Sequence, residues 1–144
     1  MAGTIVADTI RADSTSTLVL RNGVANTPPT IQDSAGTQIG TFCRAWVNFD
    51  GAATSPITPR ASFNISSVTR TSTGNFTINF TTAMADANYS VVAGANAQGG
   101  ALISAMANSS SYAPNAPSAG SFTLLTGSTA AGVNCTYITT AVFR

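Results

Sequence analysis

Phe76-Thr77-Ile78-Asn79-Phe80-Thr81 alternates large apolar with small polar residues throughout, and this stretch decides the fold. Successive side chains of an extended strand point to opposite faces, so a period of two is the pattern of a strand buried on one side. Just before it, Thr71-Ser72-Thr73-Gly74-Asn75 is a turn sequence, and Ser66 to Arg70 carries Val68 as its inward residue. Strand, turn and strand make an antiparallel hairpin.

The same reading extends in both directions. Upstream, Ala61-Ser62-Phe63-Asn64-Ile65 alternates, which sets Ala61, Phe63 and Ile65 inward and Ser62 and Asn64 outward. Phe42 to Phe49 is a strand with Cys43, Ala45, Val47 and Phe49 on one face and Trp46 on the other. Asp50-Gly51 is a turn, and Pro56 and Pro59 mark an edge or loop. Downstream, Tyr89 to Gly94 is a strand, Gln98-Gly99-Gly100 a bend, and Ala101 to Met106 a further strand. Residues 107–120 form a long polar loop containing Ser109-Ser110-Ser111, Pro114 and Pro117. Ser121 to Thr126 and Cys135 to Phe143 complete the set. About seven short strands separated by turns define an all-β chain, an antiparallel, jelly-roll-like β-sandwich. The chain stops at Arg144, within the last strand, and a carboxyl terminus in the sheet suggests a closed domain.

Residues 1–40 read differently. Ile5-Val6-Ala7-Asp8-Thr9-Ile10 and Leu18-Val19-Leu20 are short extended segments, and Thr27-Pro28-Pro29-Thr30 stiffens the chain toward an extended form. Without aromatic residues this part has little to build a core from. It is expected to be an extended N-terminal β arm for attachment or trimerisation, with Ile5, Val6, Ile10, Leu18 and Leu20 as its assembly residues. Residues 41–144 would be the sandwich domain.

Composition supports the β reading and narrows the function. Of 144 residues, 8% are charged, against roughly 25% in ordinary soluble domains. All six basic residues are arginine and all five acidic ones aspartate. Polar character comes from Ser, Thr and Asn, which compete with helix through β-branching or local hydrogen bonds. The net charge of +1 is scattered, so no basic stripe exists to neutralise phosphates and nucleic acid is not an expected partner. Such a weakly charged surface offers little electrostatic resistance to self-association. The start of the chain lacks the pattern of a signal peptide, and no apolar run reaches the roughly 20 residues of a membrane helix, so membrane insertion is not expected.

Acid–base and nucleophilic chemistry find few resources. With no His, Lys or Glu, a Ser nucleophile lacks its usual base. Asp50 and Asp86 could act as a glycosidase pair only if folding brought them together; turn roles are the simpler account. Asp8, Asp13 and Asp33 are spread along the arm as solvated charges. Cys43 and Cys135 make no metal set, and are either free thiols or a bridge. No cofactor, metal ligand or catalytic residue is expected. The Asn-x-Ser/Thr triplets at Asn64, Asn75 and Asn79 follow from an Asn- and Thr-rich composition. Trp46 is either a sugar-stacking platform or, with Arg44 beside it, part of a packed face against the second sheet or across a subunit interface. Tyr112, with Asn108 and Asn115 in the same loop, is the candidate exposed contact.

Three segments together carry a resemblance: Cys43 to Gly51; Ile65 to Arg70 with Gly74 to Phe80; and Asp86 to Val91. The run resembles a domain of short tail-fibre-like and virion-surface proteins of tailed bacteriophages. Asp8-Thr9-Ile10 and Gly23 to Pro29 look like the front end such proteins often carry, and the match fades over 92–130. The resemblance implies a homotrimer on the virion surface, assembled in the host cytoplasm, and it brings no catalytic residue. The leading expectation is a non-enzymatic, trimeric surface appendage of tail-fibre type, touching other virion proteins and a host-surface glycan or protein through loop 107–120 and bend 94–100. The alternative is a trimeric capsid decoration (cement) protein that stabilises the head. A glycan-cleaving appendage and a carbohydrate-binding module are further alternatives.

Overall fold

Residues 31–96, 104–128 and 131–144 are described by the computed structural model of the protein. The expected arm residues Ile5, Val6, Ile10, Leu18 and Leu20 lie outside them, as do the tip of bend 94–100 and the first residues of the strand expected from Ala101. All regular elements among the described residues are strands. In chain order they are β1 (Ile31–Gln32), β2 (Gln38–Gly40), β3 (Cys43–Phe49), β4 (Ala61–Phe63), β5 (Ile65–Ser72), β6 (Asn75–Phe80), β7 (Ser90–Ala95), β8 (Ser104–Ala107), β9 (Ser109–Ser110), β10 (Ala113–Pro114), β11 (Ser121–Gly127) and β12 (Ile138–Phe143). Eight of them form two four-stranded antiparallel sheets, ordered β4-β3-β12-β7 and β5-β6-β11-β8, and the two sheets make a β-sandwich.

The core lies between the sheets and follows the alternation. Ala45, Val47 and Phe49 of β3 and Ile138 and Val142 of β12 face Val68 of β5, Phe76, Ile78 and Phe80 of β6, and Phe122 and Leu124 of β11. Each is buried, and burying a side chain of this kind contributes roughly 1.5–3 kcal/mol. Phe49 and Phe76 meet edge to face across the sheets, with ring centroids 5.2 Å apart. Phe80 makes a similar contact with Tyr89 at 5.6 Å. Such geometry sets the positive edge of one ring against the negative face of the other. Ile57 and Met84 also enter the core, from segments outside the two sheets.

The turns hold as read. Asp50 Oδ1 accepts from the N–H of Ala52, and Asp86 Oδ1 from that of Asn88, as aspartates do when they close local turns. Gly74, with φ +72°, turns β5 into β6. Its own N–H donates to Asn134 Oδ1 and its carbonyl accepts from Thr126 N–H, which ties the hairpin tip to the β11–β12 connection.

One stretch departs from its alternation. Ala61, Ser62 and Phe63 are all exposed, and Ile65 is half-buried, so Ala61 and Phe63 are not core residues. The cause is Asn64, whose φ of +57° breaks the run. Asparagine tolerates this left-handed conformation better than most residues. Here its side chain compensates fully: Nδ2 donates to the carbonyls of Arg44 and Thr82, and Oδ1 accepts from Thr82 N–H. The chain thereby passes from one sheet to the other. β4 pairs with β3, Phe63 opposite Trp46, and β5 pairs with β6, Val68 opposite Ile78.

The segment expected to join the arm, residues 31–40, is a hairpin of β1 and β2 that pairs with neither four-stranded sheet. Asp33 closes its turn by accepting from the N–H groups of Ala35 and Thr37.

Candidate functional site

The two sheets differ in what they turn outward. On β5-β6-β11-β8 the outward residues include Ser67, Thr69, Thr77, Asn79, Ser121 and Thr123, with Leu125, which is buried, and Met106 beside it. On β4-β3-β12-β7 the register sets Phe63 beside Trp46, Trp46 beside Ala141, and Ala141 beside Val92, an apolar row across all four strands. Phe63 is 54% exposed, Trp46 39% and Val92 63%. Trp46 therefore lies on the outer face and is not packed against the second sheet. It is an outward neighbour of Ala45 and Val47 for the reason read in the sequence, the period of two.

A cleft of about 340 Å³ opens at the Phe63 end of the row, lined by Arg44, Phe63, Asn64, Thr81 and Thr82. Its Asn64 amide is already committed to the corner. Two ion pairs lie near this sheet. Arg60 meets Asp50 at 3.4 Å and lies over the Tyr137 ring, 4.4 Å from its centroid. Arg144 donates through Nε and Nη2 to both carboxylate oxygens of Asp86. β12 runs antiparallel to β3, and Asp50 follows Phe49 while Arg144 follows Phe143, so these pairs sit at opposite ends of the sheet. At roughly 3.3 Å per residue the ends of such strands are about 20 Å apart. Asp50 and Asp86 are therefore not brought together as a catalytic pair would be.

Asp86 titrates below its ordinary 3.8, chiefly because the Arg144 guanidinium hydrogen-bonds its carboxylate and secondarily because of the Asn88 N–H. A lowered folded value means that the unfolded chain takes up the proton first. The pair's contribution is thus present in full above the ordinary value and is lost as pH falls through the lowered one. Both partners are exposed, so the effect is small. Thermal midpoints of the wild type should fall more steeply than those of Asp86→Asn below about pH 4. Parallel curves would remove the pair from the stability account. Tyr89 moves the other way. Burial pushes its phenol up to about 12, and its O–H lies 2.8 Å from the Ser121 carbonyl.

Residues of the long polar loop are placed as follows. Asn108, Ser111 and Tyr112 all have positive φ, and the segment folds back toward β6 and β11. Asn108 N–H donates to the Thr123 carbonyl, Ser111 N–H to Asn75 Oδ1, and Asn115 N–H to the Asn108 carbonyl. Tyr112 is 45% exposed, with its hydroxyl donating to the Ser128 carbonyl at 2.6 Å. Asn115 is exposed, Asn108 half-buried with its Oδ1 unpartnered. Sequence reasoning did not foresee that β9 and β10 would form a hairpin here, because runs of two residues carry no readable period.

Both cysteines are free, Cys43 half-buried and Cys135 in the core, where burial raises the Cys135 thiol. Asn79 donates to Ser67 Oγ within the hairpin, whereas the buried Asn75 donates to Ser72 Oγ and also accepts from Ser111 N–H of the long loop. Among the described residues no group of three or more His, Cys, Asp or Glu could hold a metal ion. Among them, too, no helix is long and apolar enough to cross a membrane.

Fold and surface define an antiparallel β-sandwich with a row of apolar side chains exposed on one outer face. No family model matches the chain, and no curated protein matches its sequence. Among solved structures the chain is similar to the phiAB6 tailspike, determined in complex with three-repeated oligosaccharides of Acinetobacter baumannii surface polysaccharide. Identity is 14% and the TM-score 0.45, over 89% of this chain and 30% of the tailspike chain. A likeness of that degree says nothing about ligands or partners.

Proposed function

We propose that the chain is a non-enzymatic structural protein of a phage virion, a trimeric surface appendage of tail-fibre type. The observation that carries this reading is the inequality of the two outer faces. Monomeric proteins rarely leave a contiguous row of large apolar side chains in water, and such rows mark surfaces that an assembly covers. Phe63, Trp46, Ala141 and Val92 form an exposed row, whereas on the opposite face the outward Leu125 is buried beside Ser, Thr and Asn. The resemblance of residues 43–51, 65–70 with 74–80, and 86–91 to phage virion-surface proteins supplies the setting.

In this reading residues 1–40 are the attachment arm, engaging neighbouring chains or another virion protein through Ile5, Val6, Ile10, Leu18 and Leu20. Residues 41–144 face outward. Tyr112, Asn108 and Asn115 sit on the segment that would meet a host glycan or protein, and several weak copies would give useful avidity. Labelling Arg144 on purified phage particles that carry this chain tests the location. Label on the tail or its fibres is the expected result. Label spread over the head would instead make the chain a decoration protein, and unlabelled particles would overturn the virion reading.

A further inference from the structure

We infer that residues 14–20 of the arm lie across the outer face of this chain's own β4-β3-β12-β7 sheet, with Leu18 and Leu20 seated on the Phe63–Trp46–Ala141–Val92 row. The inference rests on the attachment-arm reading of residues 1–40 and divides that arm. Its base closes the row within each copy, and Ile5, Val6 and Ile10 remain for a neighbouring chain or another virion protein.

The place where the chain enters the sandwich is the first argument. Ile31 pairs with Gly40 in the β1–β2 hairpin, and Cys43 then opens β3 opposite Phe143. Thr41 Oγ1 donates to the Arg144 carbonyl at 2.8 Å, which holds this entry at the Arg144 end of the sheet. Paired residues lie about 5 Å apart, and the steps from Gly40 to Cys43 and from Cys43 to Trp46 each add at most about 10 Å, so Ile31 lies within about 25 Å of Trp46. The chain from Leu18 to Ile31 reaches about 43 Å when extended at about 3.3 Å per residue, enough to return over the row. A segment tethered this near has an effective concentration on the order of millimolar, so it docks through far less than the roughly 800 Å² per partner of a specific interface between separate proteins. Exposed apolar residues mark the path. Ile31 and Ile39 of the hairpin and Phe42 before β3 are exposed, as are Phe63, Trp46 and Val92 of the row. Such side chains rarely gather on a surface that nothing covers.

The make-up of the segment is the second argument. In an extended chain Leu18 and Leu20 share one side, and Thr17, Val19 and Arg21 the other. The leucines then meet the row while Arg21 points away from it. The row crosses four strands, about 14 Å at a spacing of about 4.8 Å, and about five extended residues span the same distance. Charge is the third. Arg44 lies on this face, two positions before Trp46 on β3. The stretch Ser14-Thr15-Ser16-Thr17-Leu18-Val19-Leu20 is uncharged and sets no like charge against that guanidinium. A segment one strand wide also leaves the guanidinium in contact with water, where a whole protein surface would bury it.

A cross-link in the full chain decides where the segment sits. With Cys43→Ser to remove the half-buried thiol, Leu20→Cys and Ala141→Cys are joined by a short bismaleimide. The expected product is bridged within one chain, seen as a single chain on a denaturing gel and as joined peptides by mass spectrometry. A bridge between two chains would overturn the seating on the chain's own sheet, and no bridge at all would overturn the docking. The single tryptophan gives a second readout. Leu18→Ser with Leu20→Ser should shift Trp46 emission to the red and increase its quenching by acrylamide. Ile5→Ser with Ile10→Ser should change neither. Circular dichroism and the thermal transition would verify that the sandwich is intact in both. Emission and quenching unmoved by the leucine pair, or moved equally by the isoleucine pair, would overturn the assignment of Leu18 and Leu20 to the row. Deleting residues 2–20 and measuring attachment to phage particles tests the arm itself. Lost attachment together with an unmoved Trp46 in the leucine pair would spare the arm and overturn its seating, whereas retained attachment would overturn the arm.

Discussion

Phe76→Ala is expected to lower stability by about 3–5 kcal/mol, the range for deleting a large buried aromatic side chain. Phe76 is 1% exposed and stands edge to face with Phe49, so its removal opens a void between the sheets and leaves the Phe49 ring without its partner. The neighbouring strands cannot easily close that void. β6 is hydrogen-bonded on both sides, to β5 and β11, and Gly51 approaches so closely that a Cβ there would lie 2.9 Å from Phe76 Cζ. Denaturant unfolding at one fixed protein concentration measures the change, since association would otherwise shift the midpoint. Ile78→Ala should cost about 2–5 kcal/mol in the same experiment. Near-neutral results at both positions would mean that the hairpin does not organise the core.

Gly74→Ala is expected to be comparably severe, for a reason that lies in the backbone. Gly74 has φ +72°, and an L residue there costs roughly 1–2 kcal/mol by itself. A Cβ at this position would also run into the Thr126 carbonyl oxygen and lie 2.5 Å from Val133 N, backbone atoms that cannot swing aside. To make room the tip must withdraw from the β11–β12 connection, giving up the Thr126 N–H to Gly74 carbonyl bond and the Gly74 N–H to Asn134 bond. Buried groups left unpaired cost about 1–3 kcal/mol each, so a total of roughly 3–5 kcal/mol is expected. Gly36 is the control. Its φ is +83° but an added Cβ would meet nothing within 4 Å, so Gly36→Ala should show only the conformational cost. Equal effects at the two glycines would show that the close approach is unimportant. Gly132→Ala should resemble Gly74→Ala, because its Cβ would meet the Thr73 carbonyl on the same hairpin tip.

Residues 76–81 and 43–49 could be read directly, because side-chain direction in a strand is a local property. Once the chain is extended, Phe76, Ile78 and Phe80 must share a face, as must Ala45, Val47 and Phe49, whatever lies across from them. Asp50 and Asp86 were legible for the same reason, since an aspartate closing a turn needs only its own next residues. The scarcity of charge and the absence of Glu and Lys likewise set the all-β class without any long-range contact.

Which face meets which partner was settled by contacts far apart in sequence. Ala61-Ser62-Phe63-Asn64-Ile65 has a perfect alternation, yet Asn64 turns through a left-handed conformation because Arg44, Thr82 and its own amide stabilise the corner. Phe63 thus leaves the expected core for the outer face. Ile57 and Met84 enter the core from segments with no period to read, held there by backbone bonds to Val68 and Ala119. The row Phe63–Trp46–Ala141–Val92 exists only through the strand order β4-β3-β12-β7, which joins residues up to 95 positions apart across adjacent strands. By itself the sequence determined an all-β chain, its best strands and the face each residue shares with its neighbours, since these follow from local geometry. The tertiary structure decided where the chain changes sheets and which outward residues become neighbours, since both depend on strand pairing that no local pattern encodes.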